Sequence, residues 1–380
     1  NLSREVENAA MKAKNIYMEA DNITDSNTNI IAKDNAILNS KKNIDIKGAN
    51  ISADKILLEA EDDINLTSEL GFKSSGEHAI IKNANVNAKS AIEMKSKNVN
   101  IYGANVETEK GLVKIDTKKL NVKDLSTINV NYKAELKEGE GRILKDHQYI
   151  KDLQAKVVSN PSKIVANKVF VTAKNGANII GSLVSGKDAD SIVQISSDGD
   201  VNIKNSNNID YSNFSSDSRG KNEKGVYKLV KIDKNSKENL KVVGSNLKSE
   251  GNINIKSKNL TVTASKIKAN KGVNLEAEED IKLLAALNSQ KENLSKMEWG
   301  SGAINSHTES LDKKDVESTT IESGEKVNIH AKKDLHKQSV IVKGGTVNMN
   351  ADGNNYSDAL ASTETKKETN VNVGLGAKGK

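Results

Sequence analysis

The chain of 380 residues contains no cysteine, a single proline and few aromatic residues, only 3% of the total. Without cysteine no disulfide can staple the fold, which in a long exported chain suits passage across a membrane in an unfolded state. One proline beside 25 glycines excludes a Pro/Gly-rich disordered polymer. Few aromatics argue against the thick core of a globular enzyme and against the ring platforms that line polysaccharide-cleaving clefts. No apolar run approaches eighteen residues, so no transmembrane segment is expected. Arginine occurs only at Arg4, Arg142 and Arg219, so the excess of 57 basic over 51 acidic residues is carried by lysine. Those lysines are scattered through turns and alternate positions without interleaved aromatics, a pattern of solvated faces rather than of nucleic-acid binding.

What the chain has is a period of about twenty residues, the mark of an array of stacked units. "NLKSEGNINIKSKNLTVTAS" is followed by "KIKANKGVNLEAEEDIKLLA", so that Leu247 recurs as Ile267, Ile253 as Val273, Ile255 as Leu275 and Leu260 as Ile281. Ile44 and Ile46 return as Ile64 and Leu66. Val86, Ile92, Met94, Val99 and Ile101 return as Val106, Val113, Ile115, Leu120 and Val122. Ile321, Val327 and Ile329 return as Ile341, Val347 and Met349. Within each unit apolar and polar residues alternate, as in "NINI" and "DINL", which is strand rather than helix periodicity. Short strands separated by polar turns at this period predict an all-β parallel β-helix. A single coil buries about five aliphatic side chains at roughly 1.5–3 kcal/mol each, against about 1–2 kcal/mol of backbone entropy for each residue fixed. One coil cannot stand alone, and stability must come from stacking.

The turns fit. Asn43, Asp63, Asn98, Asp200, Asn259, Asp280 and Asp334 precede the last strand of a unit, where local hydrogen bonding and left-handed angles are tolerated. Ala60, Ser96, Ala173, Ser257, Ala277, Ala331 and Ala351 stand at a corner that has room only for small side chains. The acidic turns "EAEDD" (59–63) and "EAEED" (276–280) occupy one position of the repeat and read as turns rather than cation sites. The histidines lack metal-ligand spacing, and no nucleophile elbow, phosphate loop or dinucleotide fingerprint occurs. The expectation is a non-enzymatic chain needing no cofactor and no metal.

The period divides the chain into coils at 1–131, 163–210, 242–286 and 317–352. Between them lie polar excursions at 132–162, 211–241 and 287–316, with 353–380 as an excursion or tail. A shorter break covers 67–80. Insertions in a solenoid project from its surface and carry binding determinants. The residues singled out for partner contact are Phe72 in the short break, Tyr149 in the 132–162 excursion, and His307 and the only tryptophan, Trp299, in 287–316. The stretch 133–158 sets Ile143, Leu144, Tyr149, Ile150 and Leu153 roughly on one face, predicting a small projecting helix or hairpin or, equally, a structural cover for the neighbouring coils.

The segments "ESGEKVNIHAKKDL" (322–335) and "KANKGVNLEAEEDI" (268–281) resemble the repeats of filamentous-haemagglutinin-like exoproteins, with Lys and Glu in place of several of that family's glycines. The likeness is strongest over 242–352 and looser over 1–131 and 163–210. The resemblance implies a right-handed parallel β-helix, secreted to the cell surface through an outer-membrane two-partner-secretion transporter. It implies a receptor on a host or bacterial cell: either adhesion, or engagement of a target cell's outer membrane in contact-dependent growth inhibition. The excursion after Leu287 and the terminal "TETKKETNVNVGLGAKGK" resemble the polar excursions of the second type. Residue 1 already lies in repeat-like sequence, so the chain reads as an interior stretch of a longer polypeptide.

Overall fold

The computed structural model describes residues 2–5, 10–72, 77–138, 147–221, 227–300 and 303–374. None of these residues is helical. The strands divide between a parallel β-helix and a separate nine-stranded antiparallel sheet.

Each coil of the β-helix has three strands, as in Asn246–Ser249, Asn252–Ser257 and Leu260–Thr263. These pair in parallel with Lys266–Ala269, Gly272–Ala277 and Ile281–Leu284 of the next coil. Side chains one period apart therefore stack. Leu247 lies over Ile267, Ile253 over Val273, Ile255 over Leu275 and Leu260 over Ile281, all essentially fully buried. The same register holds for Ile44 with Ile64 and for Val99 with Leu120. One expected pair is shifted. Ile321 aligns with Val342 rather than Ile341, and Ile341 points outward. The side-chain period of a strand is two, so a repeat stretched by one residue turns the neighbour to the opposite face.

Among the described residues, coils begin at Ala10, Asn29, Asn50, Asn85, Asn105, Lys163, Leu183, Asn246, Lys266, Thr319 and Val340. The corner between the third strand of one coil and the first strand of the next takes two forms. Where the chain passes directly upward, one residue adopts a positive φ: Asn27 (58°), Gly48 (55°), Gly103 (58°), Gly181 (54°), Ala264 (42°) or Ser339 (48°). Elsewhere a long excursion leaves the coil at that corner. A column of small buried residues lines it, including Ser68, Ser162, Ser245, Ser265 and Thr319. Their hydroxyls close backbone carbonyls left open by the bend: Ser162 Oγ donates to Ile101 and Lys123, Ser245 Oγ to Ile179 and Lys204, and Thr319 Oγ1 to Leu284. A buried carbonyl without such a partner would cost about 1–3 kcal/mol.

The Asn and Asp residues before the third strand do something other than bend the chain. None has a positive φ. They form a ladder from coil to coil instead, with Asp63 N–H donating to Asn43 Oδ1 at 3.2 Å, Asn98 Nδ2 to Asp63 Oδ1 at 2.7 Å and Asn259 Nδ2 to Asp200 Oδ1 at 2.8 Å. A second ladder runs up the outside of the third strands, with Asp45, Asn65, Asn100, Asn121, Asn178 and Asn202 joined side chain to side chain. The acidic turns are paired with lysines of neighbouring coils. Asp62 meets Lys97 at 2.7 Å, Glu279 meets Lys333 at 3.1 Å, and Glu278 meets both Lys256 and Lys332. The hydrogen bond from Lys332 is the chief reason that the Glu278 carboxyl is held below its ordinary pKa.

Candidate functional site

Each excursion is a pair of antiparallel arms or, at the end, a single arm. The first joins Glu69–Phe72 to His78–Lys82, and the second Leu125–Glu138 to His147–Asn160. The third joins Ser206–Lys221 to Tyr227–Val243, the fourth Ala286–Gly300 to Ala303–Glu317, and Thr363–Gly374 follows. The helix considered for 133–158 is replaced by strand. Alternation sets Tyr149 and Leu153 on one face and Ile150 on the other, whereas Ile143 and Leu144 lie outside the described residues.

Excursions leave after the third strand of every second coil from the one starting at Asn50 onward, that is after Thr67, Lys123, Lys204, Leu284 and Asp358. Two coils advance the rod by two strand spacings of about 4.8 Å, and a two-stranded hairpin is two such spacings wide. Hairpins at this interval therefore meet edge to edge. The arm His147–Asn160 pairs with Ser206–Lys221, Tyr227–Val243 with Ala286–Gly300, and Ala303–Glu317 with Thr363–Gly374. The first hairpin joins more loosely, at His78 opposite Ile128. The excursions thus tile into one sheet beside the rod.

The two faces of this sheet differ in chemistry. Every ion pair among its described residues lies on one face, including Lys156–Asp210 (3.6 Å), Lys237–Glu292 (2.5 Å), Lys313–Asp315 (3.0 Å) and Lys366–Glu364 (2.8 Å). His307 is on this ionic face. Its Nδ1 meets Asn370 Oδ1 and its Nε2 meets Glu309 Oε1, each at 2.5 Å, with Glu368 3.9 Å away. Both ring nitrogens face oxygen acceptors, so the geometry favours a proton on each. The bond to Asn370, and then that to Glu309, raise the His307 pKa.

Opposite lies an apolar face. Across its outer part the register aligns Leu136, Tyr149, Asp217, Ile232, Met297, Ser306 and Val371, with Trp299, Ile304 and Val373 in the next row toward the tips. Between this band and the hairpin bases the cross-strand row is largely Ser, Thr and Asn, such as Asn213, Ser236, Asn293 and Ser310. Tyr132, Leu136, Tyr149, Trp299, Val371 and Val373 are 39–59% exposed. Lys151 stands 5.1 Å above the Tyr149 ring. Phe72, 75% exposed, lies on this face too, its ring 5.4 Å from that of His78 across the first hairpin.

Of the four residues singled out from sequence, the structure places Phe72, Tyr149 and Trp299 on one face of one sheet and His307 on the reverse. Tyr149 and Trp299 are three strands and one row apart, roughly 16 Å at the usual spacings. Sequence reasoning passed over Leu136, Met297, Ile304, Val371 and Val373. Their signal is two-residue alternation within the excursions, as in "NVNV" (370–373) and in Met297 with Trp299, diluted by Ser, Thr and Asn.

The sequence model for the Hemagglutinin repeat matches residues 7–74 and 230–373, together more than half of the chain. The first match spans the early coils and the first hairpin's leading arm; the second runs through later hairpins and coils alike. No curated protein matches the chain. No solved structure matches it either. The chain belongs to the Hemagglutinin-repeat family and is a filamentous-haemagglutinin-like protein. Proteins with this repeat are in general secreted or surface-associated, and typically non-enzymatic and adhesin-like.

Proposed function

We propose that this Hemagglutinin-repeat chain is a non-catalytic filament segment of an exoprotein displayed on a cell surface, in which the rod gives reach and the hairpin sheet makes the contact with another cell. The observation that carries this reading is the tiling. Hairpins on every second coil build a continuous surface beside the rod, separate from the stacked core of the coils. Export through an outer-membrane partner transporter fits a cysteine-free chain whose coils are stabilised by their neighbours. Adhesion through a receptor on another cell is the role the family favours.

The test is saturable binding of the labelled chain to epithelial cells and to related bacteria, beside a variant lacking 286–318. Binding to host cells that falls with the deletion supports adhesion. Binding only to bacteria, again lost with the deletion, replaces it with target-cell engagement in contact-dependent growth inhibition. Binding to neither overturns the contact role and leaves the segment as a spacer.

A further inference from the structure

We propose that the apolar face of the hairpin sheet docks a second copy of this chain, two such sheets packing face to face as a β-sandwich. A sheet with one apolar face is stable when another layer covers that face. Here the rod does not supply the layer. Hydrogen bonds joining the hairpin sheet to the coils lie at the hairpin bases, as from Asp124 N–H to the Ile180 carbonyl and from Lys82 to the Asn27 carbonyl. The outer band remains open, with Leu136, Trp299 and Val371 all well exposed.

Three observations favour a second copy over another occupant. First, area: seven strands at about 4.8 Å and four cross-strand rows at about 6.8 Å give on the order of 900 Å² for the outer half of the face. That is close to the ~800 Å² per partner of a standard stable interface. Second, aromatics: with the sheet's internal ion pairs confined to the reverse face, this one exposes Tyr132, Tyr149 and Trp299, the aromatic enrichment of an interface core. Its Ser and Asn row lets two sheets approach to the usual ~10 Å. Third, charge: Asp217 and Lys234 share this face without entering the ion pairs of the sheet's described residues, and a facing copy can set the Lys234 of one chain against the Asp217 of the other. A copy of the same sheet also presents the same strand spacing, so the rows of the two faces interdigitate along their whole length.

Trp299 is the only tryptophan and stands in the band, so its emission reports directly on whether this face is covered. The experiment is sedimentation velocity with Trp fluorescence on the 380-residue chain, diluted from about 100 μM to about 0.1 μM, a span of roughly 4 kcal/mol in association free energy. The expected result is a dimer with blue-shifted emission that becomes a red-shifted monomer on dilution. The pair Leu136→Lys and Val371→Lys, both at exposed positions, raises the dissociation constant at least about tenfold. Asn305→Lys, on the ionic face, leaves it unchanged. A chain monomeric throughout overturns the proposal. So does assembly that leaves Trp299 emission unmoved or ignores the Leu136/Val371 pair, because that is association through exposed coil ends. A monomer whose emission shifts only when anionic phospholipid vesicles are added makes a lipid surface the occupant, and equally overturns it.

Discussion

At Ala264 a β-carbon is held at φ 42°, a backbone setting that other coils give to Gly48, Gly103 and Gly181. The left-handed region costs an L-residue roughly 1–2 kcal/mol, part of which glycine's looser unfolded state returns. Ala264→Gly should therefore raise the unfolding free energy read from a denaturation curve, by about 1 kcal/mol at most; a fall would show that the Ala264 side chain contributes packing that outweighs the strain. In the stacked core, Leu275 lies fully buried between Ile255 and Ile329. Leu275→Ala should cost about 2–5 kcal/mol, read from the same denaturation curve. On the hairpin sheet, His307 gives a pH dependence of definite sign. Its pKa is raised in the folded state, so its contribution is fully present below the unfolded value of about 6.5 and is lost as pH rises through the raised folded value. The groups facing it are Asn370, Glu309 and Glu368. Amides of Thr363–Gly374 should be better protected from exchange, after correction for intrinsic rates, at about pH 5.5 than at about pH 8. Equal or reversed protection would remove His307 from that contact.

At the scale of elements, a direct corner and a hairpin are alternative ways to leave the same coil. The direct corner reads Thr263–Ala264–Ser265–Lys266, with Ser265 Oγ donating to Thr263. Around the fourth hairpin the flanks are Leu284–Ala285 and Thr319–Thr320, with Thr319 Oγ1 donating to Leu284. Removing 286–318 leaves Leu284–Ala285–Thr319–Thr320, a small residue followed by a hydroxyl residue, as in the direct corner. This deletion should keep a folded rod, with the strand signal of the coils and a cooperative transition. The arm Tyr227–Val243 would lose one of its two neighbours and Thr363–Gly374 its partner Ala303–Glu317, and both would exchange faster. Collapse of the whole chain would mean that the hairpin sheet supports the rod rather than the reverse. The coils were legible because their cores obey one alternation at one period, as the stacking of Ile253 on Val273 and Ile255 on Leu275 shows. The stretch at 125–160 was legible only as helix or hairpin, because Tyr149, Ile150 and Leu153 satisfy a helical face as well as they satisfy two faces of a strand. Its partners, which decide the matter, lie 49 or more residues away in Ser206–Lys221.

For the molecule as a whole, sequence periodicity specifies a rod, while the spacing of its interruptions specifies a second structure alongside. The corner serines escaped notice for a related reason: Ser162, Ser245 and Thr319 look like ordinary polar linkers until coil stacking buries them. Phe72, Tyr149 and Trp299 were found as isolated aromatics, but their common face follows only from a register running through seven strands. Successive hairpins are joined edge to edge into that one sheet, and a chain without cysteine allows a clean test of the joint by cross-linking. Ser236 of the third hairpin lies opposite Asn293 of the fourth, with Asn293 Nδ2 3.5 Å from Ser236 Oγ. Met297 is four residues further along the same arm, about 13 Å away. The measurement is disulfide formation, under mild oxidation, in the double variant Ser236→Cys/Asn293→Cys against Ser236→Cys/Met297→Cys. Rapid, near-complete cross-linking of the first pair with little in the second is the predicted result. Failure of the first pair, or equal cross-linking in both, would mean that the hairpins project separately and that the sheet does not exist.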